Sequence, residues 1–442
     1  MSQKILSVGA ASLIAVAAVA LGEARADAAA FYLQEQSVKA NGRAWSGEVS
    51  ERGAQQQWWN PAAIGGIAGF QAYGGLTAIL PSGRARNIDT RVVRPLGGGT
   101  AAVGGDQISD DPVNNGFLPN GGFAVPLGDK LAVGLTVTSP FSFTTNYKAT
   151  SWARYDADKT RLRTFDVQPS IAFSPTPSLS LGVALNAEYS KATLSNYLPD
   201  PLSAALPDGH QTLRGDGWDF GYSLGAQFHN DTIDLGVSYK SSIKHHLKGN
   251  LEIGGITDVL AALINQEVKG AKARFGLPWQ IVFGGRLHVT PQLTLDGQVT
   301  RFGWNKFDDI QLLKLPASLG NQAIPEDYHD SWAFSLGADY AVNDRLTVRA
   351  GGQRDLSPVP SSGRDPRVPD GNRWTFTGGG SYELNDKAGI DASLAYTKIA
   401  SNPINKTVAA FDNSLVETTI LTSGYLSGGH AWAFGLGGHL KF

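Results

Sequence analysis

The chain of 442 residues has no cysteine and a single methionine, Met1. Without cysteine there is no disulfide framework, no thiol catalysis and no Cys-ligated zinc or iron–sulfur site. Charge of one sign is also missing. With 37 basic and 39 acidic residues the formal net charge is -2, so no bulk field draws the chain to nucleic acid or to anionic lipid. Each span of a helical membrane protein needs roughly 20 mostly apolar residues. A mean hydropathy of -0.14 excludes a polytopic bundle of such spans. What is abundant instead is glycine (53), with 10 Trp and 13 Tyr, a combination that points to β-structure.

The first residues read as a targeting segment. Lys4 supplies a positive charge, Leu13 to Leu21 form an unbroken apolar core, and small residues follow at Ala24, Ala26 and Ala28. This is the pattern of a secretory signal peptide, assigned to residues 1–28, with cleavage two residues earlier also compatible. The mature chain is then exported, and crosses a membrane, if at all, by strands.

Period-2 alternation recurs downstream. In the last residues Trp432, Phe434, Leu436, Leu440 and Phe442 share one face, with Ala433, Gly435, Gly437, His439 and Lys441 on the other. Trp218 to Phe228 and Trp332 to Tyr340 repeat the pattern. Turn-forming residues stand at Gly128-Asp129, Pro175 to Pro177, Asn230-Asp231, Pro291, Asn343-Asp344 and Asn385-Asp386. Between them lie long connections at about 81–119, 142–160, 195–216, 245–275, 304–331, 355–372 and 400–429. Seven long loops and six short turns join fourteen strands, which predicts an all-β, 14-stranded antiparallel transmembrane barrel over residues 66–442 in a bacterial outer membrane. Trp218, Trp279, Trp332, Trp374 and Trp432 open descending strands and Trp304 closes an ascending one, so six of the 10 Trp are expected at the outer rim. Phe228, Tyr340, Tyr382 and Phe442 mark the opposite rim.

Residues 29–65 lack the alternation and precede the first strand, as a periplasmic extension or a plug. Here the sequence resembles a known family. Phe31 to Glu35, Gly42 to Glu48 and Asn60-Pro61-Ala62 are similar to the N-terminal hatch of the FadL long-chain fatty acid transporters. The resemblance continues through Leu118-Pro119-Asn120 to Ser139 and through Ser357 to Pro360, Pro369-Asp370 and Arg373. It implies a barrel closed by a hatch, a diffusion channel in which a hydrophobic molecule lands in a groove between external loops. The molecule then moves to a lumen site near the N-terminus and leaves sideways, where the third strand kinks beside the Asn-Pro-Ala turn.

The residues can be assigned on that basis. Ile256, Val259, Leu260, Leu263 and Ile264 are spaced as one apolar face of a short helix. With Leu194, Tyr197, Leu198, Leu202 and Leu206 they would form the capture groove, or pack together as a lid. Phe31 and Leu33 are expected at the lumen site. A carboxylate head group calls for a cation. Where family members can carry Arg after the fifth strand this chain has Asn196, and His329 precedes strand ten without a Lys, which leaves Arg274, Arg349 or Arg373 to serve. Arg373 with Asp355 reads equally as a structural ion pair. Asn60, Pro61 and Ala62 are read as the hatch turn, and Gly134 and Pro140 as kink positions, with Pro140 also able simply to end its strand. His245-His246 reads as a surface pair, since neighbours on a strand face opposite ways. No catalytic residue, metal or cofactor is assigned. The expected partners are a long-chain fatty acid or another hydrophobic small molecule and outer-membrane lipids, with no nucleic acid, for a chain acting as a monomer. Monoaromatic hydrocarbon uptake is the alternative, followed by a general porin and a barrel lipase.

Overall fold

The computed structural model describes residues 30–95, 98–315, 322–360, 362–412 and 414–442. The signal-peptide assignment at 1–28 lies outside them. No helix among the described residues is long and apolar enough to cross a membrane.

Alternation builds the wall. Along β4 (Lys159–Thr176) the side chains shielded from solvent are Thr164, Asp166, Gln168 and Ser170, while Phe165, Ile171 and Phe173 are exposed. Polar inside and apolar outside is the reverse of a soluble sheet and suits a strand between a lumen and lipid. The same logic runs through β1 (Gln71–Asn87), β2 (Gly116–Leu127), β3 (Leu131–Thr138), β5 (Leu179–Leu198), β6 (Gly209–His229) and β7 (Ile233–Lys240). It continues in β8 (Trp279–His288), β9 (Leu293–Gly303), β10 (Ser331–Ala341), β11 (Leu346–Asp355), β12 (Arg373–Asn385), β13 (Ala388–Ile399) and β14 (Thr418–Lys441). Each strand pairs antiparallel with the next. β1 pairs with β14 from Gln71↔Lys441 to Asn87↔Gly424 and closes the barrel, so no edge is left.

The six tight turns fall where the turn residues predict. Asn230, Asn343 and Asn385 each accept two backbone N–H bonds through Oδ1, at 2.8–3.1 Å, which folds the chain back within a few residues. At the other end the connections are more ordered than expected. Ile243–Gly254 pairs with Gln266–Leu277, Asp309–Leu313 with Gln322–Pro325, and Asn402–Ala410 with β14. The expected loop 195–216 shrinks to 199–208 because the β5–β6 ladder continues from Trp218↔Tyr189 out to Gly209↔Leu198.

Trp218, Trp332, Trp374 and Trp432 are exposed on the outer rim and Trp279 is half-buried there; Phe228, Tyr340, Tyr382 and Phe442 are exposed at the other. Trp304 corrects the expectation. It turns inward on a single 3-10 turn, Trp304–Lys306, and is fully buried.

Residues 30–65 occupy the lumen, fastened to the wall on several sides. Asn41 bonds Thr77 of β1, Gln34 bonds Gln353 of β11, and Arg43 bonds Asp339 of β10. Two wall glycines allow close approach: a Cβ at Gly182 would lie 2.2 Å from the Ala62 nitrogen, and one at Gly225 1.8 Å from Asn60 Oδ1.

Candidate functional site

The lumen outside this segment holds three cavities that share lining residues. The outer one, about 370 Å³, lies among the external hairpins and is lined by Leu194, Leu198, Ile253, Ile264, Phe411 and Arg367. Leu194, Leu213 and Arg367 also line a middle cavity of about 50 Å³, otherwise walled by Leu162, Leu247 and Phe275. Phe31, Phe143 and Val368 are common to the middle cavity and an inner one of about 520 Å³. The outer and inner volumes fall within the roughly 300–1,000 Å³ usual for small-molecule sites.

Phe31 stands at the second junction. Its ring lies 5.1 Å from Trp304, 5.2 Å from Phe143, 5.3 Å from Phe307 and 6.1 Å from Phe141. The backbone beside it is clamped. Ala30 N donates to Asp370 Oδ2 at 3.1 Å, and Arg373 donates to the Ala30 carbonyl while pairing with Asp370 at 2.7 Å. Arg373 therefore holds the N-terminal segment both directly and through Asp370.

The inner cavity reaches the wall. β2 and β3 pair from Gly121↔Val137 to Leu127↔Leu131, and pairing resumes at Val113↔Thr145 in the same register. Between these points the chain at 139–141 bows inward to pair with the N-terminal segment. Leu33 N donates to the Pro140 carbonyl at 2.8 Å, Tyr32 bridges Phe141, and Gln36 bonds both the N–H and the carbonyl of Ser139. The strip facing it, including Gly116 and Phe117, lines the inner cavity, and Phe117 is 67% exposed on its outer side. The result is a window in the sheet at membrane height.

Pro140 thus sits in the inward bow. Gly134 does not, being paired to both Ala124 and Ser170; its missing side chain makes room for Gln57, whose Oε1 lies 2.0 Å from where a Cβ would be. The Asn-Pro-Ala turn is also not beside the window. Asn60 Nδ2 donates to the carbonyls of Val49, Ala226 and Val237, and its Oδ1 caps Ala62 N at 3.0 Å, which places Pro61 and Ala62 against β5 and β6.

Leu194, Leu198 and Ile264 line the outer cavity, and Leu33 the inner one. Tyr197 packs on His210 at 4.8 Å and Leu260 packs half-buried on the core. The expected helical face is split. The helix is only Ala261–Ile264, with Ile256 buried, Leu263 64% exposed at the outer cavity and Val259 87% exposed. His245 is not on the surface. It is fully buried between Glu188, at 3.1 Å, and Ser190, at 3.0 Å, whereas His246 is exposed. Neither Ser190 nor His245 lines the three cavities, so that serine is no accessible nucleophile.

The cation at the junction of outer and middle cavities is Arg367, which the sequence reading did not single out. It is buried, donates to the Asp156 carbonyl, and leaves Nε and one terminal nitrogen without a partner. Its only sequence signal is its place in the charged run Arg364-Asp365-Pro366-Arg367. Burial raises the Asp156 carboxyl to about 7 against a Thr422 hydrogen bond. It raises Glu326 to about 7 as well, against the opposing pull of Lys406. Near neutrality both acids are partly uncharged, while Asp365, against its burial, is held ionised by Lys406, at 2.7 Å, and by Arg367.

Comparison with known proteins agrees with this geometry. A profile for the family described as outer membrane protein transport protein (OMPP1/FadL/TodX) matches residues 19–442. The long-chain fatty acid transport protein of Escherichia coli (strain K12) is 26% identical, with 98% of each chain covered. The crystal structure of a Pseudomonas aeruginosa FadL homologue superimposes with a TM-score of 0.82 at 21% identity, covering 94% of this chain and 100% of the other. The Ralstonia pickettii toluene transporter TbuX gives a TM-score of 0.62 at 17% identity, covering 92% and 98%.

Proposed function

The chain belongs to the outer-membrane transport family OMPP1/FadL/TodX, and from that premise we propose that it is a passive channel for long-chain fatty acids or related hydrophobic compounds. Residues 29–65 act as the hatch and 66–442 as the barrel, working as a monomer and without cofactor. The observation that carries the reading is the succession of cavities from the external hairpins, past Phe31, to a window in the wall. A substrate lands at Leu194, Leu198 and Ile264, passes Arg367, and moves on when Phe31 swings aside. It leaves between β2 and the 139–141 bow into the bilayer, without crossing the aqueous periplasm. Arg367 is the carboxylate partner, since a buried guanidinium with free donors matches a carboxylate.

Cells that depend on this protein should take up labelled oleate faster than cells lacking it. Equal rates, with toluene uptake also unchanged, would remove the reading. Arg367→Gln should weaken binding of a fatty acid about tenfold, the range of one charge-assisted hydrogen bond, and leave the matching hydrocarbon unchanged. Uptake of neutral monoaromatic compounds is the second reading. It is favoured by the inner cavity, where Arg373 is already engaged by Asp370 and the Ala30 carbonyl and Arg84 by Asp110, Arg163 being the remaining cation of the lining.

A further inference from the structure

The near-neutral total charge hides a strongly basic row on the outer wall. Following the ladders sideways, Arg163 lies opposite Lys191, Lys191 opposite Asp216, Asp216 opposite Lys248, and Lys248 opposite Lys272. Lys272 faces Leu313, and Lys314 follows it. By alternation Arg163, Lys191, Asp216, Lys248 and Lys272 face the outside of the wall, with Lys314 beside Lys272, and Arg163 also lines the inner cavity. Five cations and one acid stand side by side across neighbouring strands, a row of roughly 25 Å at about 4.8 Å per strand.

One carboxylate, Asp216, stands within the row, and the others beside it are engaged elsewhere. Asp216 accepts from the Tyr189 hydroxyl at 3.1 Å, Glu252 pairs with Arg214 at 3.1 Å, and Asp219 with His246 at 2.9 Å. Among the described residues no carboxylate lies within 4.0 Å of Lys191, Lys248, Lys272 or Lys314. Like charges directly opposite on a sheet repel. Lys314 first, with Lys248 and Arg274, holds the Lys272 amine below its usual range.

Position says what neutralises them. One outward-facing residue closer to the periplasm on β4, β5 and β6 are Phe165, Tyr189 and Trp218, an aromatic patch in which Tyr189 and Trp218 lie 5.4 Å apart. Aromatic rings of this kind sit at the level of lipid head groups. The basic row is therefore level with, or just outside, the head groups of the outer leaflet. Below Lys272 on the same face, Arg274 joins Lys244 and Lys306 around a polar cavity of about 240 Å³, which Asp308 and Asp309 also line and which shares Phe275 with the middle cavity. The Arg274 Nε has no partner there.

We infer that this face binds a phosphorylated glycolipid of the outer leaflet, with phosphates bridging Lys191, Lys248, Lys272 and Lys314 and part of the head group seated in the cavity at Arg274. The row lies on the outer face of the wall, touching the lumen cavities through Phe275 and Arg163, and phosphate recognition there does not depend on what the lumen carries. It would fix the barrel's immediate lipid neighbour beside the external hairpins that form the capture groove.

The test uses the full-length protein purified in detergent, with binding of a bisphosphorylated lipid A read by native mass spectrometry. The wild type should hold the lipid through purification and rebind it, with at least tenfold preference over the same lipid dephosphorylated. The triple variant Lys248→Gln, Lys272→Gln, Lys314→Gln should lose that preference while the Lys→Arg triple keeps it, both retaining the heat-modifiable folded band. Equal binding of phosphorylated and dephosphorylated lipid would overturn the proposal, as would an unchanged preference in the folded glutamine triple. Competition by inorganic phosphate at the same concentration as the lipid would also overturn it, by showing a free-anion site. If the triple variant does not fold, the two wild-type comparisons decide alone.

Discussion

Phe31 is held by four aromatic neighbours, and the clamp at Ala30, Asp370 and Arg373 fixes the backbone next to it. Removing the ring leaves the clamp and the wall in place but joins the middle and inner cavities. Phe31→Ala is therefore expected to speed uptake of bulky hydrophobic substrates several-fold and to blunt discrimination by chain length, measured as initial rates for fatty acids of graded length. Rates equal to wild type would mean that Phe31 is no barrier. A second expectation concerns pH. Asp156 and Glu326, both raised to about 7 mainly by burial, gain charge as pH rises from 6 to 8, adding negative charge around Arg367. Over that range an ordinary fatty carboxyl is already ionised. Binding of a fatty acid should weaken with rising pH while that of the corresponding alcohol stays level; two parallel profiles would argue against Arg367 as the head-group partner. Phe31 could be picked from the sequence because it sits in a run similar to a known hatch. Arg367 could not, because its importance comes from burial and from two unpaired nitrogens, which only the packed structure reveals.

The third strand shows where local sequence information ends. Its turn at Gly128 and its alternation are local properties, and both were legible. The bow at 139–141 is not local. Register is the same on either side, so no residue is inserted; the segment leaves β2 because residues 32–36 supply its hydrogen bonds instead. Likewise, Asn60 was legible as a turn residue, but its pairing with the carbonyls of β6 and β7, away from the window, was not. Asn60→Ala should accordingly loosen the segment against β6 without altering the window. Because the native chain has no cysteine, the window can be tested by a bridge. Gly116 and Ser142 both line the inner cavity and stand opposite each other in the interrupted register. In the double variant Gly116→Cys, Ser142→Cys, oxidation should abolish uptake and a reductant should restore it. Undiminished transport with the disulfide confirmed by gel mobility would place the exit elsewhere.

The molecule as a whole is a sheet turned inside out, with apolar side chains toward lipid and polar ones toward a filled lumen. Fourteen ladders, sealed by β1 on β14, hold the wall, except at the 139–141 bow, which residues 32–36 hold. The N-terminal segment is tied in by a buried charge network. Arg43 pairs with Glu48 and Glu51 and reaches Asp339 at 2.8 Å; Arg286 reaches Glu51 at 3.1 Å and Asp339 at 3.0 Å; Lys39 joins Glu51 at 2.7 Å. Removing one partner from such a network strands buried charges and costs about 3–5 kcal/mol. In Arg43→Met the cost falls on the segment, because buried Glu48 loses its cation while Glu51 keeps Lys39 and Arg286 and the strand ladders keep every backbone bond. The variant should therefore still show the heat-modifiable folded band, yet give steady ion conductance in a planar bilayer well above that of the wild type. If the folded variant stays as closed as the wild type, the charge network is not what keeps the lumen shut. If the wild type itself conducts steadily, the protein works as an open porin and the segment in its lumen is no barrier.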